Sequence, residues 1–201
     1  LYMDKGDYEE TINWLNKQLV ITKEMNVPGD LAYVTQQLGY TYKLLHDFKK
    51  SHEFFDQSIT ICRTLELPFL LCFTLYYKAL ALCLEERYAE AQVCNDEALE
   101  LRAKLGARTV MSFRIELMAI RLFAACRQKS TAELITQLES LLKSQEDDRY
   151  RAEILYEMSF LTKDESLTKK AINQYTRLCA NHPDSEYEAK IKELRTGVRF
   201  L

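Results

Sequence analysis

Residues Leu38 to Ser58, which read LGYTYKLLHDFKKSHEFFDQS, contain a pattern whose key positions recur every forty residues along the chain. The pattern has one aromatic column and two columns of small residues: Tyr8, Phe48 and Tyr88; Thr11, Ser51, Ala91, Thr131 and Ala171; and Gly39, Ala79, Ala119 and Ser159. A fixed period of this length indicates a solenoid, in which each unit buries its apolar face only by stacking on a neighbour. The sequence therefore predicts an all-α repeat protein whose class of function is binding.

Composition and charge narrow the expected partners. The 201 residues are 47% hydrophobic and 28% charged, and only five glycines and three prolines interrupt them, so the chain should be mostly helical. The formal net charge is −3, which provides no basic surface for nucleic acid or anionic lipid. No apolar run approaches the length of about 18 residues that a membrane span needs. We therefore expect neither nucleic acid nor membrane as a partner.

The cysteines indicate the compartment. All six lie within apolar helical pattern, without a C-x-x-C pair: Cys62, Cys72, Cys83, Cys94, Cys126 and Cys179. Buried reduced thiols of a cytoplasmic protein are expected from this placement, because disulfide frameworks and metal sites need tighter or loop-borne spacing. The chain begins at Leu1, within a repeat and without an initiator Met, so we expect it to be a piece of a longer protein.

Capping residues and breakers divide the chain into helices. Asp7, Asp30 and Asp47 are predicted to cap helices, Ser130 to Glu133 fits a capping box, and Pro68 should open a helix pair. Gly106 is predicted to terminate another helix. One domain, 1–201, is predicted, with these parts: the second helix of a truncated repeat at 1–26, repeats at 30–66, 68–105, 107–144 and 147–182, and a C-terminal helix at 184–198.

A glycine inside the second predicted helix suggests close helix packing. Gly39 stands in the interior of that helix, where glycine costs about 1 kcal/mol relative to alanine. Its expected use is to let a neighbouring helix approach closely. The following helix alternates small residues with large ones such as Phe55, which should let the two helices nest.

These residues resemble the tetratricopeptide repeat (TPR) family, whose pattern places Leu-Gly, Tyr, an aromatic, Ala, Phe, Ala and Pro at set offsets in a helix-turn-helix. The matching or conservatively substituted positions are Leu38, Gly39, Tyr42, Phe48, Ser51, Phe55 and Ser58, followed by Ala79, Leu82, Tyr88, Ala91 and Ala98, and then by Ala171, Tyr175 and Pro183. The period of forty instead of 34 looks like a longer-helix variant. The third unit has Gln128 in place of the aromatic residue.

The resemblance implies a right-handed α-solenoid of antiparallel helix pairs, whose first helices line a concave groove that binds a peptide or a partner-protein segment. The groove positions that it implies are Tyr33, Gln36, Gln37, Tyr40, Phe73, Tyr76, Tyr77, Phe113, Glu116 and Tyr156. Tyr33, Phe73 and Phe113 could equally pack between adjacent repeats. Gln36, Gln37, Glu116 and Tyr156 are better groove candidates, because a polar group on that face has less reason to be core.

The same positions bear on the kind of peptide. The Lys/Asn/Arg arrangement that grips a C-terminal carboxylate in some family members is not expected, since Gln36, Tyr77 and Phe113 are among the residues at those positions. The groove should be rich in aromatic and amide groups, with an acidic third and fourth unit. A peptide with apolar anchors and some basic residues is the favoured ligand.

Nothing in the sequence indicates an enzyme or a cofactor site. The three histidines are scattered, the five glycines never cluster, and no H-E-x-x-H or G-x-S-x-G motif occurs. An adaptor or scaffold therefore competes with a second hypothesis, a sensor region of a larger signalling protein such as a transcription regulator, kinase or cyclase. A third alternative is a homodimer formed through a terminal repeat, because Val198, Phe200 and Leu201 are apolar.

Overall fold

The structure is a computed structural model that describes residues 7–105, 110–181 and 184–198. Within these ranges the chain forms helices and no strand. The ten helices are α1 (Tyr8–Glu24), α2 (Pro28–Leu44), α3 (Phe48–Thr64), α4 (Pro68–Leu84), α5 (Tyr88–Leu105), α6 (Val110–Ala125), α7 (Thr131–Ser144), α8 (Asp148–Thr162), α9 (Glu165–Asn181) and α10 (Ser185–Thr196). The predicted all-α class is confirmed.

The chain divides into two compact units, Leu1–Glu116 and Leu117–Leu201. In unit 1, each of the helices α1 to α4 packs against its successor, and α2 also contacts α4. In unit 2, the helices α7 to α10 pack in the same consecutive way, and α8 contacts α10. Consecutive packed helices are the arrangement that the repeat pattern predicts. The single-domain assignment and the right-handed superhelix stay predictions.

Local side-chain hydrogen bonds start several helices. The Asp7 and Asp47 carboxylates accept from the amides of Glu10 and Lys50, which caps α1 and α3 as predicted. The hydroxyl of Ser130 accepts from the amide of Glu133, and the Glu133 carboxylate accepts from the amide of Ser130. The predicted capping box at the start of α7 is therefore confirmed.

The predicted cap at Asp30 is wrong. Helix α2 begins at Pro28 after Val27, and Asp30 lies in its first turn. Proline fits the first helical position because its missing N–H has no partner there in any helix. Pro68 opens α4 in the same way, as predicted. Gly106 and Pro183 lie outside the described residues.

The close approach at Gly39 is confirmed. A methyl group at Gly39 would lie 2.6 Å from Cδ1 of Phe55, so the α3 ring occupies the space that the glycine leaves. The Ser51 hydroxyl, also on α3, donates to the Gly39 carbonyl over 2.8 Å. Ser51, Ala91 and Ala171 are fully buried members of the first small column, whereas Thr131 is exposed at the first position of α7.

Each unit has its own apolar core. In unit 1, buried Val34 and Leu38 of α2 accompany Phe55 and Ile59 of α3, and α4 contributes residues such as Leu75. In unit 2, one cluster joins α8, α9 and α10 through Ala152, Tyr156, Ala171, Tyr175 and Leu194. None of the helices in the described part of the chain combines the length and the apolar content that crossing a membrane requires.

Candidate functional site

An open pocket of about 400 Å³ lies between α2 and α4 in unit 1. Helix α2 contributes Tyr33, Gln36 and Gln37, and helix α4 contributes Phe69, Leu70, Phe73 and Tyr77. The structure thus brings together five of the ten predicted groove residues: Tyr33, Gln36, Gln37, Phe73 and Tyr77. We therefore take this pocket as the candidate ligand site.

Helical periodicity explains why these residues share one surface. Tyr33 and Gln37 are four residues apart on α2, and Phe69, Phe73 and Tyr77 follow one another at four-residue intervals on α4. The other faces of the two helices are buried against their neighbours, with Leu38 and Leu75 among the core residues. Packing on those faces turns the aromatic rows toward a common space.

Two of the pocket rings are half exposed. Tyr33 has 51% of its surface accessible and Phe69 has 54%. Exposed rings in a concave site offer a large contact area and lose little conformational entropy on binding. Phe69 and Leu70 were missed at the sequence level. Phe69 stands one turn before Phe73 on the same helix face, so extending the row by four residues would have found it.

Aromatic contacts extend the pocket along α2. The rings of Tyr40 and Tyr77 lie 4.9 Å apart between centroids, tilted by 56°. The Lys43 ammonium lies 4.4 Å from the Tyr40 ring centroid, within cation–π range. Burial raises the pKa of Tyr77 above its ordinary value. Its phenol therefore stays protonated at neutral pH and keeps a hydrogen-bond donor at this end of the pocket.

The two glutamines of the pocket have different environments. Gln37 is partly exposed, whereas Gln36 has only 2% of its surface accessible. The Gln37 amide donates from Nε2 to Oε1 of Gln36 over 3.2 Å, and Gln36 donates from Nε2 to Oγ1 of Thr74 over 3.2 Å. We expected a polar residue on this face to have less reason to be core, but Gln36 is buried, because a buried hydroxyl satisfies its amide.

Three aromatic groove candidates are core residues. Tyr76, Phe113 and Tyr156 are all buried. In unit 2, the Tyr156 hydroxyl donates to the Glu193 carboxylate, which is itself buried. The predicted preference for Tyr156 as an exposed groove residue is therefore wrong, because α10 covers it. Of the three predicted aromatic residues at forty-residue spacing, Tyr33 and Phe73 line the pocket and Phe113 does not.

Two carboxylates of the acidic groove expected in the third and fourth units are paired with arginines. Glu116 pairs with Arg102 inside unit 1. In unit 2, Arg121 Nε lies 2.8 Å from the buried Glu157 carboxylate. These carboxylates are engaged within their own units, so they give little reason to expect basic residues in a ligand.

The cysteine and histidine side chains form no cluster in the described residues. All six cysteines are free thiols; Cys62 and Cys72 are buried and the other four are partly buried. Burial raises the pKa of the Cys72 thiol to about 11, and it raises those of Cys62 and Cys94 as well. Within the described ranges, no three His, Cys, Asp or Glu side chains are arranged to hold a metal ion. His182 lies outside them.

A second open pocket, of about 520 Å³, lies between α9 and α10 in unit 2. Its lining includes Cys179 and Ile191 together with the charged residues Glu188, Lys192 and Arg195. None of the predicted groove residues contributes to it. Beyond α10, Val198 is exposed, while Phe200 and Leu201, the other residues named for a terminal contact, lie outside the described residues.

Comparison with known proteins identifies the fold. No protein-family model and no curated protein sequence matches the chain. Among solved structures, it is similar to the nearly identical TPR-like repeats of a provisional kinesin light chain from Podosopora anserina. The TM-score is 0.64 at 15% identity, with 98% of this chain and 90% of that chain covered. A variant of that protein with one substitution gives 0.63 at 16% identity, covering 97% and 88%. The chain therefore has a TPR-like helical repeat fold.

Proposed function

We propose that this chain is a protein-interaction module whose α2–α4 pocket binds an apolar segment of a partner protein, in an adaptor or scaffold role. The TPR-like repeat fold supports an interaction function in general. The observation that carries the specific proposal is the pocket itself, in which Tyr33 and Phe69 expose about half of their surfaces. No catalytic group is part of this proposal.

The chemistry of the lining supports an uncharged ligand segment. None of the seven lining residues is charged, and four of them are aromatic. A charged side chain entering such a site would lose its hydration without an opposite charge to replace it. The ligand that this pocket suits is therefore a peptide with bulky apolar anchors, without the basic residues that the sequence suggested.

Two further features belong to the same proposal. We assign the repeats to the longer-period variant, which the helix starts support: α2 and α4 begin at Pro28 and Pro68, and α3 and α5 begin at Phe48 and Tyr88. We also assign the protein to the cytoplasm, and the six free thiols support this location.

A peptide selection tests the binding proposal. Random peptides displayed on phage are selected against the wild-type chain, and the affinities of synthetic copies are then measured by fluorescence anisotropy. The double variant Tyr33→Ala/Phe69→Ala should weaken binding at least about tenfold, because truncating two aromatic contacts removes more than about 1.4 kcal/mol. Its thermal midpoint should change little, since both rings are half exposed.

Trp14→Ala is the matched control, because Trp14 is an aromatic residue of similar exposure, 58%, that lies on α1 outside the pocket. The control should bind the selected peptides like the wild type. Peptides that bind the double variant and the wild type equally well would place the interaction elsewhere on the chain and overturn the proposal.

A further inference from the structure

A chain of side-chain hydrogen bonds runs from the pocket to the backbone of α4. Gln37 donates from Nε2 to Gln36 Oε1, and Gln36 donates from Nε2 to Thr74 Oγ1, each over 3.2 Å. The Thr74 hydroxyl then donates to the Leu70 carbonyl over 2.8 Å. Three side chains in sequence thus connect a pocket amide to a main-chain oxygen.

The carbonyl at the end of this series of hydrogen bonds orients the groups in it. Leu70 O can only accept and, at 2.8 Å, is nearer to the Thr74 hydroxyl than Gln36 or Ser58 Oγ, so we assign the Thr74 proton to it; Thr74 Oγ1 then accepts from Gln36. Gln36 therefore turns its N–H toward Thr74 and its oxygen toward Gln37. Gln37 must then present an N–H to that oxygen, because the flipped amide would place two carbonyl oxygens against each other.

Burial stabilises this orientation of the Gln36 amide. Gln36 and Thr74 are both buried, and Ser58 of α3 lies beside them, with its hydroxyl donating to the Ala32 carbonyl over 2.8 Å. Ser58 Oγ is 3.3 Å from Thr74 Oγ1. A buried amide without partners is strongly unfavourable, so the hydrogen-bonded arrangement is favoured over one in which the Gln36 amide rotates away.

At the pocket end of this series of hydrogen bonds, the Gln37 side chain keeps one N–H and its oxygen for a ligand. The Gln37 side chain uses one of its two amide protons on Gln36, and its side-chain oxygen Oε1 accepts no hydrogen bond within the described residues. Gln37 is partly exposed and lines the pocket. One donor and one acceptor, side by side on a planar group, match the C=O and N–H of a peptide main chain.

We propose that Gln36 is a positioning residue that holds the Gln37 amide in the pocket, where Gln37 binds the main chain of an uncharged peptide segment through its remaining N–H and its oxygen. This inference rests on the proposed function and specifies how the ligand is recognised. The aromatic rings bind the apolar side chain of the ligand, and Gln37 fixes the register of its backbone. The absence of charge from the lining matches an uncharged segment at this point.

Small probes test the inference without knowledge of the natural partner. The first probe is N-acetyl-phenylalanine N-methylamide, which carries one aromatic side chain between two peptide groups. The others are its two ester analogues, in each of which one peptide N–H is replaced by oxygen. Affinities are measured by ¹H–¹⁵N NMR titration, and the side-chain amide signals of Gln37 are followed at the same time.

The wild type should bind the amide about three- to tenfold more tightly than at least one ester, which is the range expected for one hydrogen bond. Gln36→Leu removes the acceptor at similar volume and should abolish this preference. It should also move the Gln37 amide signals toward those of a solvent-exposed glutamine. Equal binding of the amide and both esters by the wild type would overturn the inference.

A second pair of variants covers the case in which Gln36→Leu does not fold. Thr74→Val removes the hydroxyl at nearly constant shape and should reduce the amide preference, whereas Thr74→Ser keeps the hydroxyl and should restore it. If Thr74→Ser does not restore the preference, the hydrogen bonds through Thr74 do not position Gln37 and the inference fails. If Tyr33→Ala/Phe69→Ala does not weaken probe binding, the proposed pocket itself fails. If the double variant weakens binding but the wild type shows no amide preference, the pocket is retained and the inference about Gln37 and Gln36 fails.

Discussion

Residues with a left-handed backbone form the links between the helices of unit 1. Asn26, His46, Glu66 and Glu86 have φ angles between 53° and 58°, and each follows the previous one by twenty residues. In each link the next residue donates its amide to a carbonyl five positions earlier, as Asp47 does to Tyr42 and Arg87 to Leu82. This is the Schellman arrangement, which usually places glycine at the left-handed position.

Glycine at such a position should stabilise the protein. Glu86 is exposed, and its side chain makes no hydrogen bond or ion pair within the described residues, so its replacement removes mainly backbone strain. Glu86→Gly should gain about 0.5–1 kcal/mol, because a left-handed L-residue costs about 1–2 kcal/mol and glycine gives part of that back as unfolded-state entropy. Urea unfolding of the wild type and the Glu86→Gly variant measures the difference in the free energy of unfolding.

Glu86→Ala is the control, since alanine keeps the Cβ atom and should leave stability within about 0.5 kcal/mol. If both variants were stabilised equally, the cause would be the lost carboxylate and not the backbone. A Glu86→Gly variant less stable than the wild type would show that the left-handed conformation carries no appreciable strain here.

At the scale of the helix, the α2–α3 pair depends on the absence of a side chain. The Phe55 ring lies over Gly39, with its nearest carbon 2.6 Å from where a Cβ would stand. Ser51 on the same α3 face donates to the Gly39 carbonyl. Both contacts bring the α3 helix close to the α2 backbone, on residues that are buried in the core. The pocket residues of α2 are held by this packing.

Gly39→Ala should therefore destabilise the chain, although alanine is the better helix former. We expect a loss of about 1–3 kcal/mol, the usual cost of forcing extra volume into a packed core. Combining it with Phe55→Leu should cost less than the sum of the single variants, because the shorter side chain relieves the clash. Thermal and urea unfolding of the three variants provide the double-mutant cycle.

The matched control lies on the same helix. A Cβ at Gly29 would meet nothing within 4 Å, so Gly29→Ala should leave stability unchanged or raise it by up to about 1 kcal/mol. Additive effects of Gly39→Ala and Phe55→Leu would mean that the ring is not what excludes a side chain at residue 39.

At the scale of the whole molecule, the candidate site belongs to one unit. Every residue that lines the pocket lies between Tyr33 and Tyr77, inside unit 1, which spans Leu1–Glu116. The helices that support the pocket, α1 to α5, pack against one another within that unit. Since repeat proteins are stabilised by each repeat and its nearest neighbours, the unit contains the contacts that its pocket needs.

A fragment of residues 1–116 should therefore fold and bind. We expect a helical circular dichroism spectrum with cooperative thermal unfolding, and an affinity for the selected peptides within about threefold of the full chain. The fragment 117–201, which has its own core but not the pocket, is the control and should not bind them. A folded 1–116 fragment that has lost binding would show that the site requires residues beyond unit 1.

How far the sequence predicts the fold depends on the distance over which each feature is determined. The caps at Asp7 and Asp47 were correct because each hydrogen bond joins residues only three positions apart. Asp30 was predicted as a cap but lies inside α2, since Pro28 fits the first helical turn. Thr131 belongs to the same small column as the buried Ser51 and Ala171, but it is the exposed first residue of α7. Such errors arise where two local signals compete.

The class of fold, the succession of helices and the helix faces that carry aromatic rings can be predicted from the sequence, because periodicity and caps are local properties of the chain. Which residues on those faces are accessible depends on how the helices pack. Gln36 and Gln37 are identical and adjacent, yet Gln36 is buried and Gln37 opens into the pocket. The difference comes from Thr74, 38 residues farther along, whose hydroxyl pairs with Gln36 once α4 packs beside α2. Burial and polar satisfaction depend on such distant partners, which a local pattern does not contain.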